Sequence, residues 1–255
     1  MSVNITDIKF DSMIGKSYGF DPNVYYDSPE WKIIKQLYLT NYIQNKSVEQ
    51  KIPKKIHQIW LGGKLPEQYK KYTETWKKFH PDWEYKLWTD RDVDSIFITK
   101  RDVFNQASSQ GMRSDILRYE ILRKIGGLYV DTDFECLKPF DDLLNLDFFT
   151  GIGYDTQLQL YIGLIACPAN HPIMNDCVHV ASFYSGVKGS VIVDVTGANH
   201  FTKCFLKNPS GVAFPMDFFY PFPNNMRDKD DPYKYITENS YAIHHWAVSW
   251  IKKKV

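Results

Sequence analysis

The sequence has few cysteines and lacks the paired spacing of a zinc or disulfide signature. We expect mostly buried free thiols at its four cysteines, which are Cys136, Cys167, Cys177 and Cys204. The net charge of +1 shows no excess of basic residues, so a nucleic-acid partner is not expected. No apolar run reaches the ~18 residues that a membrane-spanning helix needs. The N-terminus has no basic region followed by an apolar core, so no signal peptide is predicted either.

Length and composition place the chain among globular α/β proteins. Its 255 residues suffice for one large-cored domain, alone or with a small appendage. Aromatic residues make up 16% of the chain, with seventeen tyrosines and seven tryptophans. Such residues suit a carbohydrate-binding cleft, but they fill hydrophobic cores equally well. Length and composition therefore allow a large hydrophobic core but do not identify a ligand.

The stretch Ser114–Asp133, SDILRYEILRKIGGLYVDTD, organises the rest of the prediction. Apolar residues recur at helical spacing up to Ile125, with Ser114 as the expected N-cap. Gly126 and its neighbouring glycine end the helix. A short apolar segment, Leu128–Val130, then reads as a strand covered on both faces.

Two carboxylates follow this strand. Because side chains alternate along a strand, Asp131 and Asp133 are expected to point to the same side. Neighbouring carboxylates repel one another, and a divalent cation such as Mg²⁺ or Mn²⁺ relieves that repulsion. Ligands of open α/β sheets bind beyond the carboxyl ends of the strands, so the pattern favours a metal–phosphate site. An ordinary strand-to-loop junction is the alternative, since aspartate is common there.

Other segments alternate between strand and helix patterns, which predicts a mostly parallel, doubly wound sheet. Strands are expected at Lys55–Leu61, Trp83–Trp88, Phe148–Tyr154 and Leu158–Ala166. Helices are expected from Pro29 to Gln44, after Leu65, from Thr89 to Ile98, after His171 and after Gly197. The segment Phe214–Pro232 reads as a long loop because it carries several prolines. Residues 1–51 are predicted to form an N-terminal helical appendage, with the main domain at 52–255.

Three segments together resemble glycosyltransferase family 32, the sugar-nucleotide glycosyltransferases with an Asp-x-Asp motif. They are IPKKIHQIWLGG at Ile52–Gly63, the central stretch, and YAIHHWAVSW at Tyr241–Trp250. That family includes the yeast initiating α-1,6-mannosyltransferase type, α-1,4-galactosyltransferases and bacterial capsular transferases. The sequence is similar, more distantly, to the glucosylating domain of large clostridial toxins. The resemblance implies the nucleotide-binding fold called GT-A.

The resemblance also implies a role for particular residues of the donor site. The metal ligands would be Asp131, Asp133 and His244, with His245 as the alternative imidazole, and a nitrogen ligand favours Mn²⁺ over Mg²⁺. Asp115 and Arg118 would hold the donor sugar and the diphosphate, which makes them catalytic together with the two aspartates of the motif. The remaining donor-binding residues would be Trp60, Leu61, Gly62, Thr132, Ser249 and Trp250. Residues 241–255 would close over the site as a C-terminal lid.

Each of these assignments has a plainer alternative. Trp60 is either a platform on which the base stacks or a core tryptophan under a turn. Asp115 and Arg118 lie three residues apart, which also suits a solvent-exposed ion pair. His57 is expected to be a satisfied core histidine. The chain also departs from the family pattern, because no asparagine stands before Gly163.

The predicted function is metal-dependent transfer of a hexose, with retention of configuration, from a nucleotide-diphosphate sugar to a hydroxyl. UDP-sugars are favoured and GDP-mannose is retained, and the acceptor would be a glycan, a lipid-linked sugar or a protein. A catalytically silent sugar-nucleotide or glycan-binding protein and a nucleotidyltransferase are the alternatives. Since the sequence shows no membrane anchor, a cytoplasmic enzyme of bacterial or viral origin is expected, with peripheral membrane association left open. A trimmed form of a longer, anchored protein is the alternative.

Overall fold

The computed structural model describes residues 9–14, 27–107, 109–153, 157–180 and 192–247. The strands of this part are β1 (Lys55–Ile59), β2 (Glu84–Trp88), β3 (Gly127–Val130), β4 (Phe134–Cys136), β5 (Phe149–Ile152), β6 (Leu160–Cys167), β7 (Val212–Phe214) and β8 (Ala242–His244). The α-helices are α1 (Pro29–Tyr38), α2 (Glu67–Phe79), α3 (Arg101–Gln106), α4 (Gln110–Ile125), α5 (Pro172–Val180), α6 (Ile192–Val195), α7 (Ala198–Lys207) and α8 (Met216–Phe219). A π-helical turn, Leu39–Ile43, extends α1. Every helix in these ranges is too short or too polar to cross a membrane.

Six strands form the central sheet in the order β2-β1-β3-β6-β5-β7. The three parallel pairs are β1 with β2, β1 with β3, and β5 with β7, whereas β6 runs antiparallel to β3 and β5. The predicted α/β class and mostly parallel sheet are therefore confirmed. A second sheet has two strands, β4 and β8, which pair antiparallel. This small sheet places the C-terminal motif beside the segment that follows β3.

The helix that leads to β3 begins earlier than the sequence pattern predicts. Ser109 is its N-cap, and the Ser109 side chain accepts a hydrogen bond from the Met112 amide at 3.2 Å. Ser114 lies one turn inside the helix, so its predicted capping role is wrong. Gly126 ends the helix as predicted, at φ 68°, and its amide donates to the Leu122 carbonyl. A side chain at Gly126 would also collide with the backbone of Ala169, which it would approach to 2.6 Å.

The N-terminal helix α1 packs against β7 through aromatic side chains. Trp31 and Tyr38 are buried, and Phe10 lies edge-on to both of their rings. The ring of Tyr38 in turn meets Phe214 of β7 at 6.0 Å. The predicted helix is thus confirmed and shares the core of the main sheet. Its standing as a separate domain at residues 1–51 stays a prediction.

The segment predicted as a long loop is more ordered than its prolines suggest. It contains the helical turn α8, and all five of its aromatic residues are buried, which are Phe214, Phe218, Phe219, Tyr220 and Phe222. The predicted loop is thus interrupted by short helical turns, and its prolines at helix starts and between turns are compatible with burial. This segment supplies one wall of the site described next.

Candidate active site

The two aspartates of the Asp-x-Asp motif lie in a turn between β3 and β4. The Asp131 amide donates to the Gly163 carbonyl at 2.8 Å, and the Phe134 amide donates back to the Asp131 carbonyl at 3.1 Å. Asp133 therefore belongs to the turn and not to an extension of β3. The turn, and not the predicted strand alternation, brings the carboxylates together. One ligand atom from each of Asp131, Asp133 and His244 lies within 4.8 Å of the others.

His244 reaches the aspartates because β8 pairs with β4 in a register that sets it opposite Phe134. Its Nε2 atom lies 3.0 Å from Asp133 Oδ1, and its ring stacks on Phe134 at 4.4 Å. The neighbouring His245 turns to another partner. Its Nε2 atom lies 2.9 Å from Glu135 Oε2, and its ring stacks on Tyr72 at 4.2 Å. Of the two histidines, the structure brings the first to the Asp-x-Asp motif.

The residues after β8 wrap around Asp133. The amide of Ala247 donates to Asp133 Oδ2 at 2.8 Å, and the amide of His245 donates to the Asp133 carbonyl at 3.0 Å. This path requires a left-handed backbone at Trp246, whose φ is 53°, a conformation that is strained for a large side chain. Trp246 is held there by a hydrogen bond from its indole to the Phe222 carbonyl at 2.7 Å.

The electrostatics of the motif distinguish the two carboxyl groups. Burial raises the pKa of Asp131, and the neighbouring Asp133 adds to that rise while Arg118 offsets part of it. Burial would also raise the pKa of Asp133, but His244 and the Ala247 amide outweigh burial and lower the pKa. The charged form of Asp133 is thus stabilised by hydrogen-bond donors of the protein, whereas the contacts of Asp131 do not offset its burial.

These residues fit a divalent cation. Two carboxylates and an imidazole form a donor set suited to Mn²⁺, and Mg²⁺ is compatible with the carboxylates. The other nitrogen of His244, Nδ1, is buried and finds no hydrogen-bond partner within the described ranges. Burial and the charge of Asp133 both raise the pKa of Asp131, and a bound cation would offset both effects.

Asp115 and Arg118 form a buried ion pair on one face of α4. Arg118 Nη2 lies 2.9 Å from Asp115 Oδ1, and Nη1 lies 3.3 Å from Asp131 Oδ1. Their side chains are only 8% and 6% exposed, so the solvent-exposed alternative is wrong. The backbone of Ile162 fixes the guanidinium by accepting from Nη1 at 2.7 Å. Arg118 thus places a positive charge beside the Asp-x-Asp motif.

The environment of this pair also perturbs Asp115. Burial raises the pKa of Asp115 to about 7, although Arg118 and a hydrogen bond from Thr196 Oγ1 at 2.9 Å oppose the rise. The pKa of Arg118 is raised, because Tyr129, Asp131 and Asp115 together outweigh its burial. Arg118 is therefore the fixed positive charge of the site.

Trp60, the residue predicted to be the base platform, directly follows the end of β1. Trp60 is half-buried, with its ring 5.2 Å from that of Tyr69, so it is not a fully buried core residue. Leu61 is buried, whereas Gly62 is exposed at φ 87° and its amide donates to Asp90 Oδ2 at 2.9 Å. A Cβ at Gly62 would lie 3.2 Å from the side chain of Gln110, at the start of α4. The Trp60 segment therefore lies beside the helix that carries Asp115 and Arg118.

The remaining predicted residues divide into a described and an undescribed group. Thr132 is buried in the turn between the two aspartates. Ser249 and Trp250 lie outside the described residues. His57 is a buried histidine between the Gly126 carbonyl and the Trp88 indole, which confirms its structural assignment.

Several further residues shape the site, of which Gln58 has no role predicted from the sequence. Gln58 is buried and donates to the Asp131 carbonyl at 3.2 Å, while Thr196 holds Asp115. Tyr129 is buried, and its hydroxyl donates to Asp131 Oδ1 at 2.6 Å. Gly163 borders the motif, where a Cβ would lie 3.0 Å from Asp131 Oδ2. A glycine inside a strand was the available signal.

A second group of metal-binding residue types lies elsewhere, at Cys177, His200 and Cys204. All four cysteines are buried and free, as predicted. In this group His200 Nε2 lies 3.0 Å from the Cys177 carbonyl, and the two thiols interact with one another. The hydrogen bonds of this group are thus satisfied internally, unlike those around His244.

Comparisons with known proteins show what this chain is similar to. Residues 66–149 match the family model described as a glycosyltransferase sugar-binding region containing a DXD motif. An uncharacterized glycosyltransferase of Acanthamoeba polyphaga mimivirus is 29% identical over 77% of this chain and 84% of that protein. The inositol phosphoceramide mannosyltransferase 1 of Schizosaccharomyces pombe is 30% identical over 79% of this chain. The chain spans 63% of the length of that yeast relative.

A solved structure supports the fold. The PaToxG glycosyltransferase superposes with a TM-score of 0.53 and 24% identity, over 74% of this chain and 80% of that chain. The GT-A fold predicted from the resemblance is therefore confirmed. So are the resemblance to the Asp-x-Asp glycosyltransferases and the prediction that the protein is an enzyme of that kind.

Proposed function

We propose that this chain, a glycosyltransferase related to family 32, transfers a hexose from a nucleotide-diphosphate sugar to a hydroxyl acceptor in a metal-dependent reaction. One observation carries the proposal. Asp131, Asp133 and His244 come from a turn and a distant strand, and their ligand atoms lie within 4.8 Å of one another. The buried guanidinium of Arg118 lies beside them, 3.3 Å from Asp131.

The metal would be held by Asp131, Asp133 and His244. When bound, it would supply Lewis-acid stabilisation of the charge that develops on the departing diphosphate. Arg118 donates through a planar fork that suits phosphate or sugar hydroxyls. Because Ile162 and Asp115 fix its orientation, little reorganisation is needed when the donor arrives. Asp115 accepts hydrogen bonds from sugar hydroxyls once the donor lies against α4.

The donor base would stack on Trp60. Its half-exposed ring lies beyond the end of β1, and the following glycines let the ligand approach the backbone closely. A UDP-sugar is favoured because Ile59–Gly63 is similar to the uracil-stacking motif of the resembling toxins. GDP-mannose is the second candidate, because the S. pombe relative is named a mannosyltransferase.

Retention of configuration is part of the proposal. No second pair of carboxylates straddling a glycosidic bond stands out in the sequence, so a two-carboxylate displacement is not favoured. The departing phosphate oxygen of the donor would instead take the proton of the incoming hydroxyl. That hydroxyl would belong to a glycan, a lipid-linked sugar or a protein.

The test is a panel of UDP- and GDP-sugars incubated with the pure protein and Mn²⁺. We expect one donor to be hydrolysed slowly to nucleoside diphosphate, and to raise the melting temperature. A ligand at 100 times its dissociation constant adds about 2.7 kcal/mol to the free energy of unfolding. Asp133→Asn is the matched control, since it removes a ligand charge at nearly constant shape.

Release of pyrophosphate would indicate a nucleotidyltransferase. Binding of a donor without sugar release under any condition, including with added glycan acceptors, would contradict the proposed transfer.

A further inference from the structure

The hydroxyl of Tyr220 is buried without a partner beside the Asp-x-Asp motif. Tyr220 is 1% exposed, and its hydroxyl finds no hydrogen-bond partner within the described ranges. The ring is fixed by edge-on contacts with Phe134 at 5.2 Å and Tyr161 at 5.1 Å. The backbone is fixed as well, because the Tyr220 amide donates to the Met216 carbonyl at 2.8 Å. The hydroxyl therefore has little freedom to seek another partner, and a buried polar group left unpaired is destabilising.

The hydroxyl of Tyr220 lies close to the backbone of Gly163, which has no side chain to crowd it. A Cβ built on Gly163 would lie 3.2 Å from the Tyr220 hydroxyl and 3.0 Å from Asp131 Oδ2. The two oxygens thus lie on the same side of Gly163, where any larger residue would crowd them. The backbone of Gly163 is held there, because its carbonyl accepts from the Asp131 amide at 2.8 Å. A side-chain oxygen of the Asp-x-Asp motif and an unpaired donor therefore lie next to the same glycine.

The hydroxyl keeps its proton under all ordinary conditions. Burial raises the pKa of Tyr220 well above its usual value, and the charge of Asp131 raises it further. Tyr220 therefore acts as a hydrogen-bond donor and not as a base. Tyr220 also lies next to the C-terminal segment, since its ring is 5.9 Å from that of Trp246.

We propose that Tyr220 is a positioning residue of the donor site, whose hydroxyl donates a hydrogen bond to an oxygen that enters the space beside Gly163 on binding. The oxygen belongs to the donor or to a water that accompanies the metal. This inference rests on the proposed function. It explains why the position carries a tyrosine: without ligand the hydroxyl is destabilising, and with ligand the same group adds affinity.

The first test uses the protein without ligand. Tyr220→Phe removes only the hydroxyl, so its melting temperature should equal or exceed that of the wild type. Tyr119→Phe is the matched control, because the Tyr119 hydroxyl is buried and donates to the Thr196 carbonyl at 2.7 Å. Loss of that bond should lower the melting temperature by about 2–4 °C. If Tyr220→Phe falls by as much as the control, the hydroxyl has an internal partner and the inference is wrong.

The second test measures binding to both proteins by calorimetry in three arms. The probes are Mn²⁺ alone, Mn²⁺ with the nucleoside diphosphate, and Mn²⁺ with the nucleotide sugar that the panel identifies. We expect Tyr220→Phe to bind about 5–30 times more weakly in at least one arm, which is the effect of one or two kcal/mol. A loss with Mn²⁺ alone would assign the oxygen to a metal-bound water. A loss that first appears with the diphosphate assigns it to phosphate, and one confined to the third arm assigns it to the sugar.

Equal affinities in all arms, with a wild type that does bind, would overturn the role of Tyr220 and leave the proposed function intact. A wild type that binds none of the probes would instead overturn the proposed function. In that case the melting comparison without ligand still decides whether the hydroxyl is unpaired.

Discussion

The Nε2 atom of His244 lies 3.0 Å from Asp133 Oδ1, although the two residues are 111 positions apart in the chain. The contact depends on the small β4–β8 sheet, in which Phe134 pairs with His244. The candidate metal site thus lies outside the central sheet, at a turn that follows β3 and a strand near the C-terminus. Side-chain changes at either end should therefore affect metal binding without unfolding the central sheet.

The first prediction concerns the metal ligands. Asp133→Asn should abolish transfer and Mn²⁺ binding while the protein still folds, because the amide keeps the shape but loses the charge. Asp131→Asn should also be severe. Both changes would be followed by Mn²⁺ titration, activity and circular dichroism. Transfer should stop in EDTA and return on addition of Mn²⁺. Full activity of Asp133→Asn in the presence of chelator would be incompatible with the proposed site.

The two histidines provide an internal comparison for the same site. His244→Ala should weaken Mn²⁺ affinity by more than about 10-fold, since even groups that only orient a ligand have effects of that size. His245→Ala should leave Mn²⁺ affinity nearly unchanged, because the His245 ring pairs with Glu135. Calorimetric titration of both variants with Mn²⁺ measures the difference. The reverse order would assign the third ligand to His245.

The base platform gives a prediction about the donor alone. Trp60→Ala should weaken nucleotide binding by about 1–3 kcal/mol, the usual effect of removing a stacking aromatic. Trp60→Phe should recover much of the affinity. Because the ring is half-buried, the melting temperature should fall only modestly. A variant that unfolds, but binds nucleotide normally while folded, would favour the core assignment of Trp60.

The fold and much of the site could be predicted because their signals are local. The glycine stop before β3, the apolar strand and the Asp-x-Asp pair are contiguous, so periodicity and turn chemistry suffice to place them. Contacts between distant segments leave no such signal. The residues around Tyr220 in the sequence do not predict that Gly163 lies close to its hydroxyl. His244 is predicted as a ligand only from the resemblance to the family. Its contact with Asp133 depends on the pairing of β4 with β8, which the periodicity of the sequence does not encode.

The start of α4 shows why a local signal can also mislead. Two serines, Ser109 and Ser114, both precede apolar helical residues, and only the first caps the helix. Ser109→Ala should lower the free energy of unfolding by about 0.5–2 kcal/mol, because the Met112 amide loses its acceptor. Ser114→Ala should be close to neutral, since alanine is a good helix former. Urea unfolding of the two variants makes the comparison. Equal losses would contradict the observed cap.

His57 gives a prediction about pH. Its Nε2 donates to the Gly126 carbonyl at 2.9 Å and its Nδ1 accepts from the Trp88 indole at 3.2 Å, an arrangement that requires neutral imidazole. Burial lowers the pKa of His57 to about 4. Because the unfolded state binds the proton more tightly, stability should fall as the pH drops from about 6.5 towards 4. Between pH 7 and 5 this group should lower the free energy of unfolding by about 2 kcal/mol.

Urea unfolding at both pH values would measure this loss. His57→Gln is the matched variant, because glutamine keeps a donor and an acceptor but does not titrate. Its free energy of unfolding should change less with pH than that of the wild type. Parallel pH profiles for the two proteins would show that His57 is not responsible.

The last prediction concerns the C-terminal lid. Residues 241–255 were expected to close over the donor as one segment, but the described part of it is tied down in two ways. Strand β8 pairs with β4, and the Ala247 amide donates to Asp133 Oδ2. Any donor-dependent ordering should therefore begin after Ala247. Hydrogen exchange should show the amides of Ala242–His244 protected with and without ligand, and residues 248–255 protected only with Mn²⁺ and donor.

Two truncations test whether donor-dependent ordering begins after Ala247 or includes the whole segment 241–255. Removing residues 248–255 should cut turnover strongly and leave the melting temperature nearly unchanged, because β8 and its ligand histidine remain. Removing residues 244–255 should in addition weaken Mn²⁺ binding, since His244 is lost. If both truncations weaken Mn²⁺ binding equally, the residues after Ala247 help to hold the metal itself. If neither lowers turnover, there is no lid, and His244 would be a static third ligand at most.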